Sequence, residues 1–489
     1  MSLKLKPAGK VLIIAAVVTA GIFTVQWYQN LPKAVGKAID TGRIELPDMP
    51  EISLKTNITK LPLPLDEAAA NGGSSITWEV MAWNSQFSAL YANGGIRTRK
   101  GSLFDKAHLD ITYIRQDNCK QQIADLVKFA NEYQNDTRTP GVLITLMGDG
   151  MPAYMTELSK ALETLGPEYQ PIIIPVSHGR SFGENQLMGP IAWKHDPRHA
   201  LGACVAGVLR DGDMNLLLKW AGDNGLKVNP NNTTYDAQAI NLIAANDFLD
   251  AAKKYIGGFT EKRKLVINGR TIGRDTIVGV DAVATRTPGD VYVATRKGGL
   301  VTIAGTKQNA AQIINQTIAI KKWAYEHRTD IENMIIALAQ AGDQVRAFED
   351  ARRFAAEISA KVYKEQNGAY WLKYFNGVEE KDVQGLKVQL GGSAVFNLAG
   401  MANIFGMGDD RIDRYRAVYN SFGNLMVKMY PTEMSSFLPY EKAVDKSFLY
   451  SVIINHPELL QGKVITTENT KETAQDSSTN KKAENVPGE

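Results

Sequence analysis

The chain has 489 residues, 44% of them hydrophobic and 22% charged, enough to fold around two or three cores. Its formal net charge is +3, from 55 basic and 52 acidic residues, which excludes the concentrated basic excess of a nucleic-acid binder. Two cysteines, Cys119 and Cys204, exclude a disulfide framework.

At the start, Lys4, Lys6 and Lys10 precede an apolar run over 11–25, which Gln26, Trp27 and Tyr28 close. A basic start followed by an apolar run reads as a secretory signal. With its aromatic edge the run reaches about 18 residues, near the lower limit for a spanning helix. Trp27 and Tyr28 stand where an interfacial belt would lie, with the lysines on the cytoplasmic side. No cleavage site is evident. Residues 1–28 are therefore expected to form an uncleaved, single-pass signal anchor in the inner membrane, leaving the rest in the periplasm. A cleaved signal and a buried core helix are the alternatives. Residues 29–75, with scattered prolines and a Gly-Gly-Ser-Ser end, read as a linker.

From Ile76 onward strands and helices alternate, which predicts an α/β protein with mostly parallel sheets. "ITWEVMAW" reads as a strand, as do Leu109–Arg115, Gly141–Met147, 170–177 and 203–209. Helices are expected over 119–133, 152–165 and 214–221. Asn268-Gly269 predicts the turn of a hairpin over 264–278. The stretch 315–460 reads as largely helical. Within it Thr329 and Glu332 form a capping box, and Gly342 is expected to end the helix they open. The tail over 463–489 has almost no apolar residues and is expected to be disordered.

Three strand-to-helix turns are polar: Trp83-Asn84-Ser85, Gly148-Asp149-Gly150 and Arg210-Asp211-Gly212-Asp213. At the last of these, Asp211 or Asp213 can cap the helix, or its free N–H groups can face a ligand. Several such turns meeting in one crevice is how open α/β sheets build ligand sites. No phosphate-binding loop, dinucleotide fingerprint or nucleophile elbow is present. His195 and His199 have i, i+4 spacing, but Pro197 breaks the helical face a metal pair needs. His178 reads as a hydrogen-bonded loop histidine. Neither catalysis, nor a cofactor, nor a metal is expected.

"WNSQFSALYANGGIRTRKGSLFDKAHLDITYIR", "LGACVAGVLRDGDMNLLLKWAGDNGL" and "VDAVATRTPGDVYVATRKGGLVTIAG" together resemble, in order and spacing, the nitrate/sulfonate/taurine-type periplasmic binding proteins. The chain also resembles a membrane-anchored, phosphate-type subgroup of them. The resemblance implies a two-lobed type II periplasmic-binding-protein-like fold with a hinge and a helical C-terminal third. Lobe one would span 76–180 together with helices from 315–462, and lobe two 181–314. The implied ligand is a small anionic or polar solute, passed to the permease of an ABC transporter. Trp83, Asn84, Ser85, Gly148 and Asp149 would contact it from lobe one. Gly212, Asp213, Met214, Arg286 and Thr287 would do so from lobe two, with Arg180 and Ser181 at the crossing between them. The Arg286 guanidinium suits an anion, or alternatively a salt bridge. Cys119 and Cys204 would lie in different lobes, unbridged. The competing expectation is a structural or sensory envelope protein on the same fold.

Overall fold

Two α/β sheets organise the chain, in a computed structural model that describes residues 38–52, 58–70, 73–460 and 464–465. The first sheet has the order Leu109–Arg115, Ser74–Val80, Gly141–Met147, Asn315–Ile320 and Pro171–Ile174. Its first three strands are parallel, whereas Asn315–Ile320 enters antiparallel to both neighbours. Gly141–Met147 is covered on both faces, which is why it reads as a continuous apolar run rather than an alternation. Helix Cys119–Asn135 packs on this sheet through Ile123, Leu126, Phe129, Ala130 and Tyr133, the three-and-four spacing of one helix face. Asn118 starts it, its side chain accepting from the N–H groups of Lys120 and Gln121.

The second sheet runs Ile39–Asp40, Lys227–Asn229, Ile240–Ala244, Cys204–Gly207, Ala282–Arg286, Asn185–Gly189 and Val301–Gly305. The four strands from Lys227–Asn229 to Ala282–Arg286 are parallel. The other three pair antiparallel with their neighbours. The chain passes between the sheets over 175–184 and again over 306–314. Cys119 lies in the first lobe and Cys204 in the second, and both are buried and free.

Four features depart from the sequence-based expectations. The stretch from 315 on is largely helical as expected, but it opens with a strand of the first sheet and contains a hairpin of Val378–Lys381 with Lys387–Leu390. Asn315–Ile320 is buried along its whole length, so it carries no alternation that would reveal a strand. The helix predicted to open at the capping box runs from Arg328 to Ala347, and its N-cap has no side-chain bond. Gly342 sits inside it rather than at its end. A Cβ there would stand 1.9 Å from the Phe396 carbonyl oxygen, so glycine is what lets another segment touch the helix backbone. Finally, residues 38–52 and 58–70 are an extended strap rather than a free spacer. Ile39–Asp40 joins the second sheet, Ile44 enters its core, and Gln344 of the first lobe bonds the backbone of Thr59 and Leu61.

The expected anchor over 11–28 lies outside the described residues, as does the tail over 463–489 except for Val464–Ile465, which pairs with Glu51–Ile52. Among the described residues no helix is long and apolar enough to cross a membrane.

Candidate functional site

The carboxyl ends of the parallel strands of both sheets face one another, and the polar turns that follow them meet between the lobes. Arg286, the last residue of Ala282–Arg286, is the central contact. One guanidinium nitrogen donates to Asp213 Oδ2 at 3.2 Å, the other points at Met81 Sδ in the first lobe at 2.9 Å, and the group lies 4.0 Å over the Phe248 ring. Asp213 Oδ1 accepts from Asn185 Nδ2 at 2.7 Å, and that same nitrogen is 3.6 Å from Met147 Sδ. Asn215 donates to the Asp149 carbonyl at 3.1 Å, and Gln312 to Asp149 Oδ2 at 2.9 Å. Gly212 permits this meeting of turns: a Cβ on it would lie 2.5 Å from Met147 Sδ and 2.6 Å from Asp149 Oδ1. On the other side of the crevice the Asn84 N–H donates to Glu184 Oε1 at 3.2 Å, and Ser393 donates to the second oxygen of Glu184.

Burial sets the electrostatics. It raises the carboxyl groups of Asp149 and Asp211 above the usual range, Arg286 only partly offsetting this at Asp211. It brings Asp213 to about 6 even against Arg286, and Glu184 to about 8 against the hydrogen bonds of Ser393 and Asn84. Burial works to lower the Arg286 guanidinium too, but Asp213 and Asp211 outweigh it and hold the charge. The crevice is thus rich in carboxyl groups that burial disfavours as anions, and the Arg286 guanidinium is already engaged.

Of the residues expected to contact a ligand, Asp149, Gly212, Asp213 and Arg286 meet in this cluster, Asn84 bonds Glu184 across the crevice with Trp83 beside it, Gly148 accepts from the Tyr415 hydroxyl, and the Ser85 hydroxyl accepts from Asn315 Nδ2 at 3.2 Å at the crossing; all eight are buried. Arg286 stands there in a buried ion pair, the second of its two expected roles. The remaining four have other surroundings. Arg180 bonds the Ala310 carbonyl at the hinge and stacks on Phe182. Ser181 bonds Thr306 within the two crossings. Met214 fills the second lobe's core. Thr287 bonds Asp290 at the start of helix Gly289–Arg296. Neither Asp211 nor Asp213 caps helix Gly212–Asp223 through its side chain, because Asp213 is taken by Arg286 and Asn185. The ring of His178 is not hydrogen-bonded as expected. It packs edge-on against Trp78, and burial lowers its pKa to about 3, so it is neutral.

The sequence reading missed Glu184, Asn185, Gln312 and Asn315. Gln312 and Asn315 stand inside an apolar stretch, where an unpaired amide would be costly, whereas Glu184 and Asn185, in a polar run, carry no such signal. Several atoms around the crevice have no hydrogen-bond partner among the described residues. They include Trp83 Nε1, both polar atoms of the Asn84 side chain, Arg286 Nε, and the free oxygens of Asp149, Asp211, Asn185 and Asn215. Among the described residues no group of three or more His, Cys, Asp or Glu could hold a metal ion. Of the two histidines of "HDPRH", His195 ends helix Ala192–His195 and His199 lies in the separate turn Pro197–Ala200.

Two α/β lobes, joined by paired crossings and closed over a polar crevice at their strand ends, define a periplasmic-binding-protein-like fold. Solved structures similar to this chain include the periplasmic nitrate-binding protein NrtA from Synechocystis PCC 6803, at 9% identity and a TM-score of 0.48, covering 79% of this chain and 90% of that one. The alkanesulfonate-binding protein SsuA from Xanthomonas axonopodis pv. citri is similar at 13% identity and a TM-score of 0.40, covering 71% and 99%. The desulfurization enzyme DSZB is similar at 10% identity and a TM-score of 0.43, covering 78% and 99%. No protein-family model and no curated protein matches the sequence.

Proposed function

We propose that the protein is a solute-binding protein held at the inner membrane by residues 11–28, facing the periplasm, which encloses a small polar solute between its lobes and hands it to the permease of an ABC-type transporter. The observation that carries this is the set of unpartnered, fully buried nitrogens and oxygens contributed by both lobes to one cluster. Each buried polar group left without a partner costs about 1–3 kcal/mol. A solute with its own donors and acceptors removes that cost from both lobes at once, which is the thermodynamic basis of closure upon it. Of the two solute classes expected, the polar one fits better than the anionic one. Burial disfavours charge on Asp149 and Asp211, so the crevice offers neutral donors and acceptors, and Arg286 already serves Asp213.

The test is thermal unfolding of the full chain against nitrate, sulfonates, phosphate and neutral hydroxylated or amide solutes, with native mass spectrometry of the purified protein. A bound solute at one hundred times its Kd adds about 2.7 kcal/mol to stability, a rise of several degrees. The expected result is such a rise with a hydrogen-bond-donating solute, and its loss in Asn84→Ala. A rise with anions alone overturns the polar assignment. No rise with any solute overturns solute capture and favours the structural or sensory alternative, which the C-terminal bracing between the lobes also suits.

A further inference from the structure

Residues 234–279 of the second lobe contribute a three-stranded sheet of their own. Thr234–Asp236 pairs in parallel with Thr260–Ile267, and that strand forms a hairpin with Arg270–Gly279. Asn268 and Gly269, both at positive φ, make its tip. The hairpin differs from the rest of the surface in composition. Ile267, Ile272 and Ile277 are 49%, 46% and 75% exposed within eleven residues. Around them five basic residues stand against two acidic ones. Asp275 pairs with Lys262 and Lys264, and Glu261 with the buried Arg263. Arg270 and Arg274, beside the tip, are exposed and have no carboxylate partner among the described residues.

Single exposed isoleucines are ordinary, but an aliphatic tip flanked by unpaired arginines is the composition of a segment that rests on an anionic lipid surface. Its position agrees. Asn229 bonds Thr234, joining this sheet to strand Lys227–Asn229, and that strand pairs with Ile39–Asp40 near the start of the described chain. Between Tyr28, where the apolar run closes, and residue 38 there are too few residues to span more than roughly 35 Å even fully extended. The hairpin and the route to the expected anchor therefore share one edge of the second lobe. A second copy of the chain, pairing strand to strand along Arg270–Gly279, fits less well. The register of the hairpin shifts between Lys264 and Val266, opposite Gly273, and such a bulge twists an edge away from further pairing.

We propose that the hairpin tip, with Ile267, Ile272, Arg270 and Arg274, docks on an anionic phospholipid surface and fixes the orientation of the lobes above the membrane. The proposal rests on the proposed placement of the chain at the inner membrane, with the hairpin and residues 11–28 as separate contacts to it. The experiment uses the full chain with a nitroxide at Ile272→Cys, since the two native cysteines are buried, and a control label at Tyr450→Cys, an exposed site in the first lobe. Collision with a water-soluble nickel relaxant is measured in phosphatidylglycerol-containing and in pure phosphatidylcholine vesicles. In anionic vesicles the label at 272 is expected to lose most of its aqueous accessibility while that at 450 keeps it. Arg270→Glu with Arg274→Glu restores access, each cation near an anionic surface being worth about fivefold in occupancy. If the chain sediments with anionic vesicles and the label at 272 remains as accessible as that at 450, docking is wrong and the anchor stands. Equal protection in phosphatidylcholine overturns the charge argument, and spin–spin broadening without lipid assigns the tip to a second copy instead. Sedimentation only with anionic vesicles, and only with both arginines intact, overturns the anchor and keeps the docking. Failure to sediment with either composition overturns both.

Discussion

Arg286 shows how the surroundings of a residue decide between two roles that its type allows. An arginine on a strand-end turn is suited to an anion, but here it is 1% exposed and paired with a carboxylate that is wholly buried. Removing one partner of a buried pair leaves an uncompensated charge and costs about 3–5 kcal/mol. Arg286→Ala should therefore lower the urea midpoint strongly, rather than weaken binding in an otherwise intact protein. Asp213→Asn with Arg286→Met, which removes both charges, should recover part of that loss. A double variant no more stable than Arg286→Ala would show that the pair does not act as a unit.

Glu184 allows a pH argument at the same scale. Its folded pKa of about 8 lies above the value of a free glutamate, so the native state holds its proton more tightly than the unfolded chain. Stability from this group is complete at low pH and is lost as pH rises through about 8. Asp213 and Asp290, each raised by burial to about 6, act in the same direction over a lower range. His178 opposes them below about 6.5, because its folded pKa is depressed to about 3 and acid favours the unfolded, charged form. The window free of that opposition is pH 6.5 to 8. There the melting temperature should fall with rising pH, and Glu184→Gln should flatten the fall. An unchanged slope in the variant would assign it to another group.

At the scale of elements, strands covered on one face or on both announced themselves, and close approach did not. Leu109–Arg115 and Gly141–Met147 have the predicted limits because each packs its apolar residues against a helix of the same lobe. Asn315–Ile320 is covered on both faces like Gly141–Met147, but it opens a stretch that reads as helical, so its apolar run is taken as part of that stretch. Gly342 was taken for a helix end since a helix-stopping glycine and a helix-packing glycine look alike in one dimension. They differ in consequence. Gly342→Ala should destabilise the protein by about 1–3 kcal/mol in chemical denaturation, as overpacking does, since the added carbon meets backbone that cannot rotate away. A helix-end glycine at ordinary φ would give a neutral or slightly stabilising result. The site was half legible for the same reason. Turn residues on one element could be read from spacing, whereas Glu184, Asn185 and Gln312 matter only because two lobes bring them together.

For the molecule as a whole, the question is what keeps the lobes together and which of those contacts an opening of the lobes would break. Helix Arg414–Met429 spans the divide: Tyr415 and Tyr419 pack in the first lobe's core, and Val418, Phe422, Leu425, Met426 and Met429 in the second's. Ser393–Val395 pairs with the crossing strand Gly179–Ser181, adding a third strand segment to the hinge region. These contacts are apolar or backbone and change little on a small rotation. The clasp at Glu365 is different. It accepts from Arg115 of the first lobe at 2.9 Å and from the Tyr292 hydroxyl of the second, so it is broken by any opening that moves those two residues apart. The loop that carries it holds Lys364 and Gln366 at positive φ on either side, a conformation that side chains adopt only when their surroundings enforce it. Partly buried, charge-assisted bonds of this kind contribute about 1.5–3 kcal/mol each, enough to bias a two-state equilibrium by one to two powers of ten. Glu365→Ala should therefore increase the open population, read as a longer and broader distance distribution between spin labels placed one on each lobe, while the melting temperature of each lobe's core changes less. An unaltered distribution would transfer the closing force to helix Arg414–Met429, and truncating Phe422 there would then widen it instead.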